Sequence, residues 1–476
     1  MAEESVGGLT PIRVYRAGAA PAAYGEPARA APPAQAAAAR AAAPIDPGPT
    51  YADYEDGLPE PPPIPPETRK SGLPIGVIVV CGALIALMSM GIRNIIPLWQ
   101  TPMLQDLGWS SSQFSIALAT QNLMWGLCSP FFGALADKFG SSRVLIFGAM
   151  LQASGLWLMS QANDPALFFL SAGVLLGLAQ SAAGMGIVLG AVGRSVHPRH
   201  RTMAFGLITA SSSAGMIVMT PIGRALLETT TWSDAFVSVA IIALPMILLA
   251  IFVRSNQNDG DPSTAEIAKL SIGEALGEAF RHRGFTLLVL GFFVCGFHVT
   301  FIGVHLPKYL NDLGVGWQAG ANALMIIGVF NVGACLAVGF VASVVSKRGV
   351  LAMIYLLRAV VILAFISFPV STTSVYIFAA AMGVLWLSTV PPTQGIVAQV
   401  FGTQYMTMLF GVVFFSHQIG SFLGVYLGAQ AVDRLGSYDM VWYVAIVLGL
   451  LAAVCHIVID ERPVARLKQP AAPEAA

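Results

Sequence analysis

The 476 residues are 56% hydrophobic and only 11% charged, with a mean hydropathy of +0.72. That much apolar surface excludes a single water-soluble core and puts the chain in lipid. Its 25 basic and 25 acidic residues cancel, so a nucleic-acid partner, which needs clustered positive charge, is not expected.

Residues 1–72 are rich in Ala and Pro, with Pro61-Pro-Pro-Ile-Pro-Pro66 near their end, and show no apolar period able to bury a face. They read as a disordered cytoplasmic tail. No short apolar region precedes a small-residue cleavage site, so a secretory signal is not expected. Twelve apolar segments follow, at 73–99, 113–136, 143–161, 166–191, 202–227, 235–253, 285–307, 318–342, 349–370, 374–400, 404–432 and 438–458. Each approaches or exceeds the roughly 20 residues that cross a bilayer as a helix.

Six spans (73–253) precede a polar linker at 254–284, and six follow it (285–460), before a short cytoplasmic tail at 461–476. Within the linker, Ser271-Ile-Gly-Glu274 has the form of a capping box. Ile272, Ala275, Leu276, Ala279 and Phe280 then recur at helical spacing, which predicts a short helix on the membrane surface. With the N-terminus inside, eleven Lys and Arg fall in inner loops, against Lys308 and Arg434 outside. The positive-inside rule then puts both termini in the cytoplasm of a bacterial inner membrane.

The halves repeat. Asp106-Leu-Gly lies 27 positions before Gly133, and Asp312-Leu-Gly lies 27 before Gly339. Met203-Ala-Phe-Gly206 is matched by Met408-Leu-Phe-Gly411, and Gly215 and Gly223 by Gly420 and Gly428. A duplicated bundle of apolar helices is the sequence form of a secondary transporter whose halves rock about a central site. The fold expected is all-α, with twelve transmembrane helices in two pseudo-symmetric six-helix bundles.

Between the second and third spans, Gly133-Ala-Leu-Ala-Asp137-Lys138-Phe-Gly140-Ser-Ser-Arg143 resembles the signature loop of the major facilitator superfamily. The resemblance covers residues 73–460 and implies that Gly133, Asp137, Lys138, Gly140 and Arg143 lock the cytoplasmic helix ends in one conformation. The second copy departs from it, with Ser343 where the acid stands, so a symmetrical lock is not expected. Shorter matches at Gly91-Ile-Arg93, Asp106-Leu-Gly-Trp109-Ser, Phe297-His298 and Ser416-His417-Gln418 resemble the branch of monocarboxylate and oxalate/formate transporters. They imply a small organic anion as substrate, with protons or a counter-anion as the coupling partner.

Ionisable groups point the same way. Away from the span ends the chain has Arg93, His298, Arg358 and His417 and no Asp or Glu, and a charge in a bilayer is expensive unless it faces a partner or a cavity. An anionic substrate would supply the missing counter-ion. Arg93 can grip a carboxylate bidentately, although it could instead snorkel to the outer interface. Asn122 and Gln418 would add hydrogen bonds, and Trp125, three positions from Asn122, would wall the site. His298 and His417 are proton-coupling candidates because imidazole titrates near neutral pH, although a lone buried histidine is often a packing residue. Arg358 is expected in structural pairing or snorkelling.

Cys81, Cys128, Cys295, Cys335 and Cys455 all lie in apolar runs at no metal-like spacing, so they read as small core residues. No metal, cofactor or enzymatic motif is expected, and the chain reads as a monomer. Two other functions stay open: a drug or apolar-metabolite efflux antiporter of the same fold, and a transporter-like membrane sensor.

Overall fold

Residues 74–254 and 270–467 are described by the computed structural model, and all belong to one compact unit, Pro66–Ala476. The tail at 1–72, most of the linker and the last residues lie outside the described residues. Six long helical spans come first: α1 (Ile75–Leu107), α2 (Ser111–Phe139), α3 (Ser141–Ser160), α4 (Pro165–Ser195), α5 (Pro198–Thr229) and α6 (Trp232–Phe252). A short helix, α7 (Ile272–Arg281), leads into α8 (Arg283–Asp312), α9 (Trp317–Val344), α10 (Lys347–Ser367), α11 (Thr372–Phe401), α12 (Met406–Leu435) and α13 (Asp439–Ile457).

Eleven of these helices are long and apolar enough to cross a membrane. The twelfth, α2, has the length at 29 residues, but Gln113, Thr120, Gln121, Asn122, Ser129 and Asp137 lower its hydropathy. Polar residues inside a span are the expected mark of a helix that faces protein or a cavity.

Several spans are not continuous α-helix. The first runs on past the expected residue 99 to Leu107, through a 3₁₀ turn at Ile96–Trp99 that carries Pro97. Proline removes a backbone donor, so the helix tightens there instead of continuing regularly. In α4 a π-helical stretch at Phe169–Leu175 precedes a break at Gly184. α11 breaks after Leu385 and resumes at Val390, where Pro391 and Pro392 occupy its first turn.

The capping box expected at Ser271 is present in α7, with Glu274 and Ser271 each accepting the other's backbone N–H. Its Ala275 and Ala279 are buried while Ile272 and Phe280 are exposed.

The halves meet along α2 against α12 and α5 against α9. A Cβ on Gly133 would lie 2.8 Å from Met408 Cα, and one on Gly411 would lie 2.7 Å from the Pro130 nitrogen. On the other seam, a Cβ on Gly206 would lie 2.8 Å from Gly339 Cα. The repeated glycines of the two halves are thus the points of closest backbone approach, where a side chain has no room.

Candidate functional site

Asp137, in the last turn of α2, is buried and bridges the halves. It forms an ion pair with Arg194, in the last turn of α4, and accepts the backbone N–H of Met408 at the start of α12 at 2.8 Å. Arg194 also donates to Thr407 Oγ1 at 2.9 Å and to Ser141 Oγ at 2.6 Å. A carboxylate at the N-terminus of α12 also meets the positive end of that helix dipole. This knot seals the Asp137 end of the seam between α2, α4 and α12.

Lys138 and Arg143 do not take part. Both are exposed, and the Lys138 ammonium lies over the Phe139 ring at 5.4 Å. Successive helical residues turn by about 100°, so when Asp137 points into the protein its neighbour points out. Gly140 has φ of +94° in the turn between α2 and α3, a conformation that favours glycine. Arg194 and Thr407 were missed from sequence. The available signal was a basic residue closing a span, at Gly193-Arg194.

Among the described residues the second half has no equivalent. Ser343 Oγ donates only to Phe340 O of its own helix, at 2.6 Å. There Glu461, beyond α13, accepts from Ser346 Oγ at 3.3 Å and from the Arg348 backbone N–H.

Deeper in the protein, five of the expected residues form one connected group. Arg93 Nη2 donates to Asn122 Oδ1 at 2.5 Å, and its guanidinium lies over the Trp125 ring at 5.0 Å. Gln418 Nε2 reaches across from α12 to the Asn122 carbonyl at 3.0 Å. His417 Nδ1 is 3.1 Å from Gln418 Oε1, and its ring stacks on Phe414, which in turn packs against Trp125. Arg93 Nε has no hydrogen-bond partner, and among the described residues no carboxylate pairs with Arg93. Below Trp125, toward Asp137, a cavity is lined by Trp125, Ser129, Gln180, Met185, Phe410 and Phe414.

His298 lies apart from this group. It is fully buried between α8 and α13, where Nε2 is 2.8 Å from Ala445 O. His305 is similarly tied to Val425 O at 3.0 Å and to Tyr438 at 3.3 Å. Arg358 is held by carbonyls, with Nε and Nη2 donating to Leu385 O at 3.0 and 2.6 Å. Of the remaining deep amides, Gln180 and Asn331 bridge helices, while neither side-chain polar atom of Gln394 nor Nε2 of Gln121 has a hydrogen-bond partner among the described residues. Gln180 joins α4 to Ser89 of α1, and Asn331 joins α9 to Ser213 of α5 and to the Leu387 N–H in the break of α11.

Comparison with known proteins gives this arrangement its family. The Major Facilitator Superfamily family model matches residues 79–425. The chain is 23% identical to the oxalate:formate antiporter of Oxalobacter formigenes over 82% of its own length and 93% of that protein's. It is 27% identical to the multidrug resistance protein MdtH of Cronobacter sakazakii over 50% of its length and 58% of that protein's. In fold it is similar to the E. coli transporter FucP, solved in the outward conformation, with a TM-score of 0.64 at 16% identity, covering 82% of this chain and 98% of that one. The chain belongs to the Major Facilitator Superfamily and is a multi-pass membrane transporter that works by alternating access, not an enzyme.

Proposed function

We propose that the protein carries a small organic anion, a mono- or dicarboxylate, with Arg93 as the anchor for its carboxylate. The observation that carries this reading is a guanidinium in the middle of the protein with no carboxylate partner among the described residues and an unpaired Nε beside Asn122 and Trp125. A guanidinium fork matches a carboxylate in geometry as well as charge. Asn122 and Gln418 add hydrogen bonds, Trp125 and Phe414 form the wall, and His417, in contact with Gln418, carries the coupling proton. The relative that exchanges oxalate for formate is in keeping with this substrate class.

The Asp137 end is the cytoplasmic one, because the basic residues concentrate in loops on that side. The knot at Asp137, Arg194, Thr407 and Met408 then closes the cytoplasmic exit, so this is the conformation that receives substrate from outside an inner membrane. Beyond Gln418, Phe422 and Tyr426 of α12 are 64% and 48% exposed, in keeping with a seam that opens toward that face.

A second reading is export of apolar or aromatic compounds, favoured by the walls Trp125, Phe410 and Phe414 and by the MdtH relative. Purified protein screened by thermal shift against mono- and dicarboxylates and against apolar amines, followed by counterflow in proteoliposomes, separates the two. Carboxylates should raise the melting temperature by mass action, and Arg93→Ala should abolish the rise. A shift with amines alone, retained in Arg93→Ala, would instead establish the exporter.

A further inference from the structure

Beyond α13 the chain turns back over the ends of other helices. The carbonyls in the last turn of a helix have no partner within it, and at the end of α11 residues 459–467 supply donors. The Val464 N–H bonds Val400 O at 3.0 Å, Arg466 Nη2 bonds Phe401 O at 2.6 Å, and a Cβ on Gly402 would stand 3.3 Å from the Leu467 side chain. A guanidinium there also meets the negative end of the α11 dipole. Glu461 fastens the other end of this strap. Its carboxylate accepts from Ser346 Oγ at 3.3 Å and from the Arg348 N–H at the start of α10, and its backbone carbonyl accepts from Gln399 Nε2 at 3.1 Å.

The strap also holds α7. Arg466 Nε lies 3.1 and 2.8 Å from the two carboxylate oxygens of Glu278, and the paired side chains are only 18% and 27% exposed. Leu270, just ahead of α7, grips the loop between α11 and α12. Its N–H bonds Gln404 Oε1 at 3.4 Å, and its carbonyl accepts from Gln404 Nε2 at 3.1 Å and from the Tyr405 hydroxyl at 3.0 Å. Residues 402–405 are thus pinned from both the tail and the linker. The next residues are Met406, Thr407 and Met408, the start of α12, which Arg194 and Asp137 hold across the seam. The break between Leu385 and Val390 leaves the last 12 residues of α11 as a separate segment, so helix continuity alone does not fix where that segment ends.

We propose that Arg466, paired with Glu278, is a positioning residue for the seal at the Asp137 end. The strap holds the α11–α12 loop in the conformation in which α12 presents Thr407 to Arg194 and the Met408 N–H to Asp137. Ordering a loop costs conformational entropy. With the strap docked the loop is ordered before the halves meet, and the seam closes more readily; with the strap released, the seal itself must order the loop. The linker helix and the tail, both outside the spans, thereby set how tightly this end closes. The role is independent of the compound carried.

The test is labelling of a cysteine placed at Ser129, in the cavity, by a membrane-impermeant maleimide added on the Asp137 side of liposomes. The full chain is used, with Cys81, Cys128, Cys295, Cys335 and Cys455 replaced by Ala. When most molecules are sealed, the labelling rate follows the small open fraction. Arg466→Gln removes the ion pair and the bond to Phe401 O, and should raise the rate about threefold to tenfold. Glu278→Gln should raise it less, because Arg466 keeps the Phe401 carbonyl. The double variant should label no faster than Arg466→Gln alone, as expected for two members of one pair. In Asp137→Asn, where the seal is already released, Arg466→Gln should add little. Unchanged labelling in Arg466→Gln overturns the proposal. So does an undiminished further rise in the Asp137→Asn background, which would mark a general loosening of the fold. Should Arg466→Gln fail to fold, Glu278→Gln decides alone, and labelling equal to that of the parent chain overturns the proposal.

Discussion

The Asp137 carboxylate accepts the backbone N–H of Met408, 271 residues further along the chain, at 2.8 Å. One side chain at the end of α2 thereby joins the two halves at the mouth of the cavity, with Arg194 as its counter-ion.

Asp137→Asn should open this end. Removing one member of a buried ion pair costs roughly 3–5 kcal/mol, and the penalty falls on the sealed state, since Arg194 becomes hydrated once the seam parts. A bias of about 5.5 kcal/mol carries a two-state equilibrium from 1:99 to 99:1, so the shift should be large. A cysteine placed at Ser129, which lines the cavity, should become labelled from the Asp137 side. Ser343→Asn should do little, because Ser343 bonds only its own helix; equal labelling in the two variants would contradict the asymmetry.

Gly133→Ala should act in the same direction for a steric reason. Its Cβ would stand 2.8 Å from both Met408 Cα and Thr407 O, which are backbone atoms that cannot rotate away. Overpacking of this kind costs about 1–3 kcal/mol, again in the sealed state. Gly303→Ala in α8, with nothing within 4 Å of the added carbon, is the control. Labelling at position 129 should rise in the first variant and stay unchanged in the second.

Arg93→Lys should fail almost as fully as Arg93→Ala. Lysine keeps the charge but loses the planar fork that donates to Asn122 and lies on Trp125. Hydrogen bonds to charged groups contribute about 1.5–3 kcal/mol each, so binding should weaken on the order of tenfold to a hundredfold. Isothermal titration with a carboxylate found in the thermal-shift screen measures it. Unchanged affinity in Arg93→Ala would remove the residue from the site.

The two central histidines should separate. His298→Gln loses the bond to Ala445 O and should lower stability by about 1 kcal/mol, seen as a lower melting temperature with the pH dependence of uptake intact. His417→Gln, beside Gln418, keeps hydrogen-bonding capacity but removes the ring that can take up a proton, and should flatten that dependence. A flattened profile in His298→Gln would assign the coupling to α8 instead.

Class, span number and the duplication were legible because each is written in local or periodic features. Runs long enough to cross a bilayer need no partner to be recognised, and the glycines at an offset of 205–206 residues return as the close approaches of two equivalent seams. The grouping of Arg93, Asn122, Trp125 and Gln418 was within reach too, since apolar spans leave few polar side chains to choose among. Which partner each charge takes was decided only by tertiary structure. Lys138 and Arg143 are nearer to Asp137 in sequence than Arg194 is, yet the rotation of about 100° per residue along α2 turns Asp137 toward α4 and Lys138 away. His298 and His417 both lie well inside their helices, and only the packing of α8 on α13 and of α12 on α2 hides the first and brings the second, with its neighbour Gln418, to Asn122. The sequence determines that a helix is apolar and where its polar residues stand; its rotation about its own axis is set by contacts with helices hundreds of residues away.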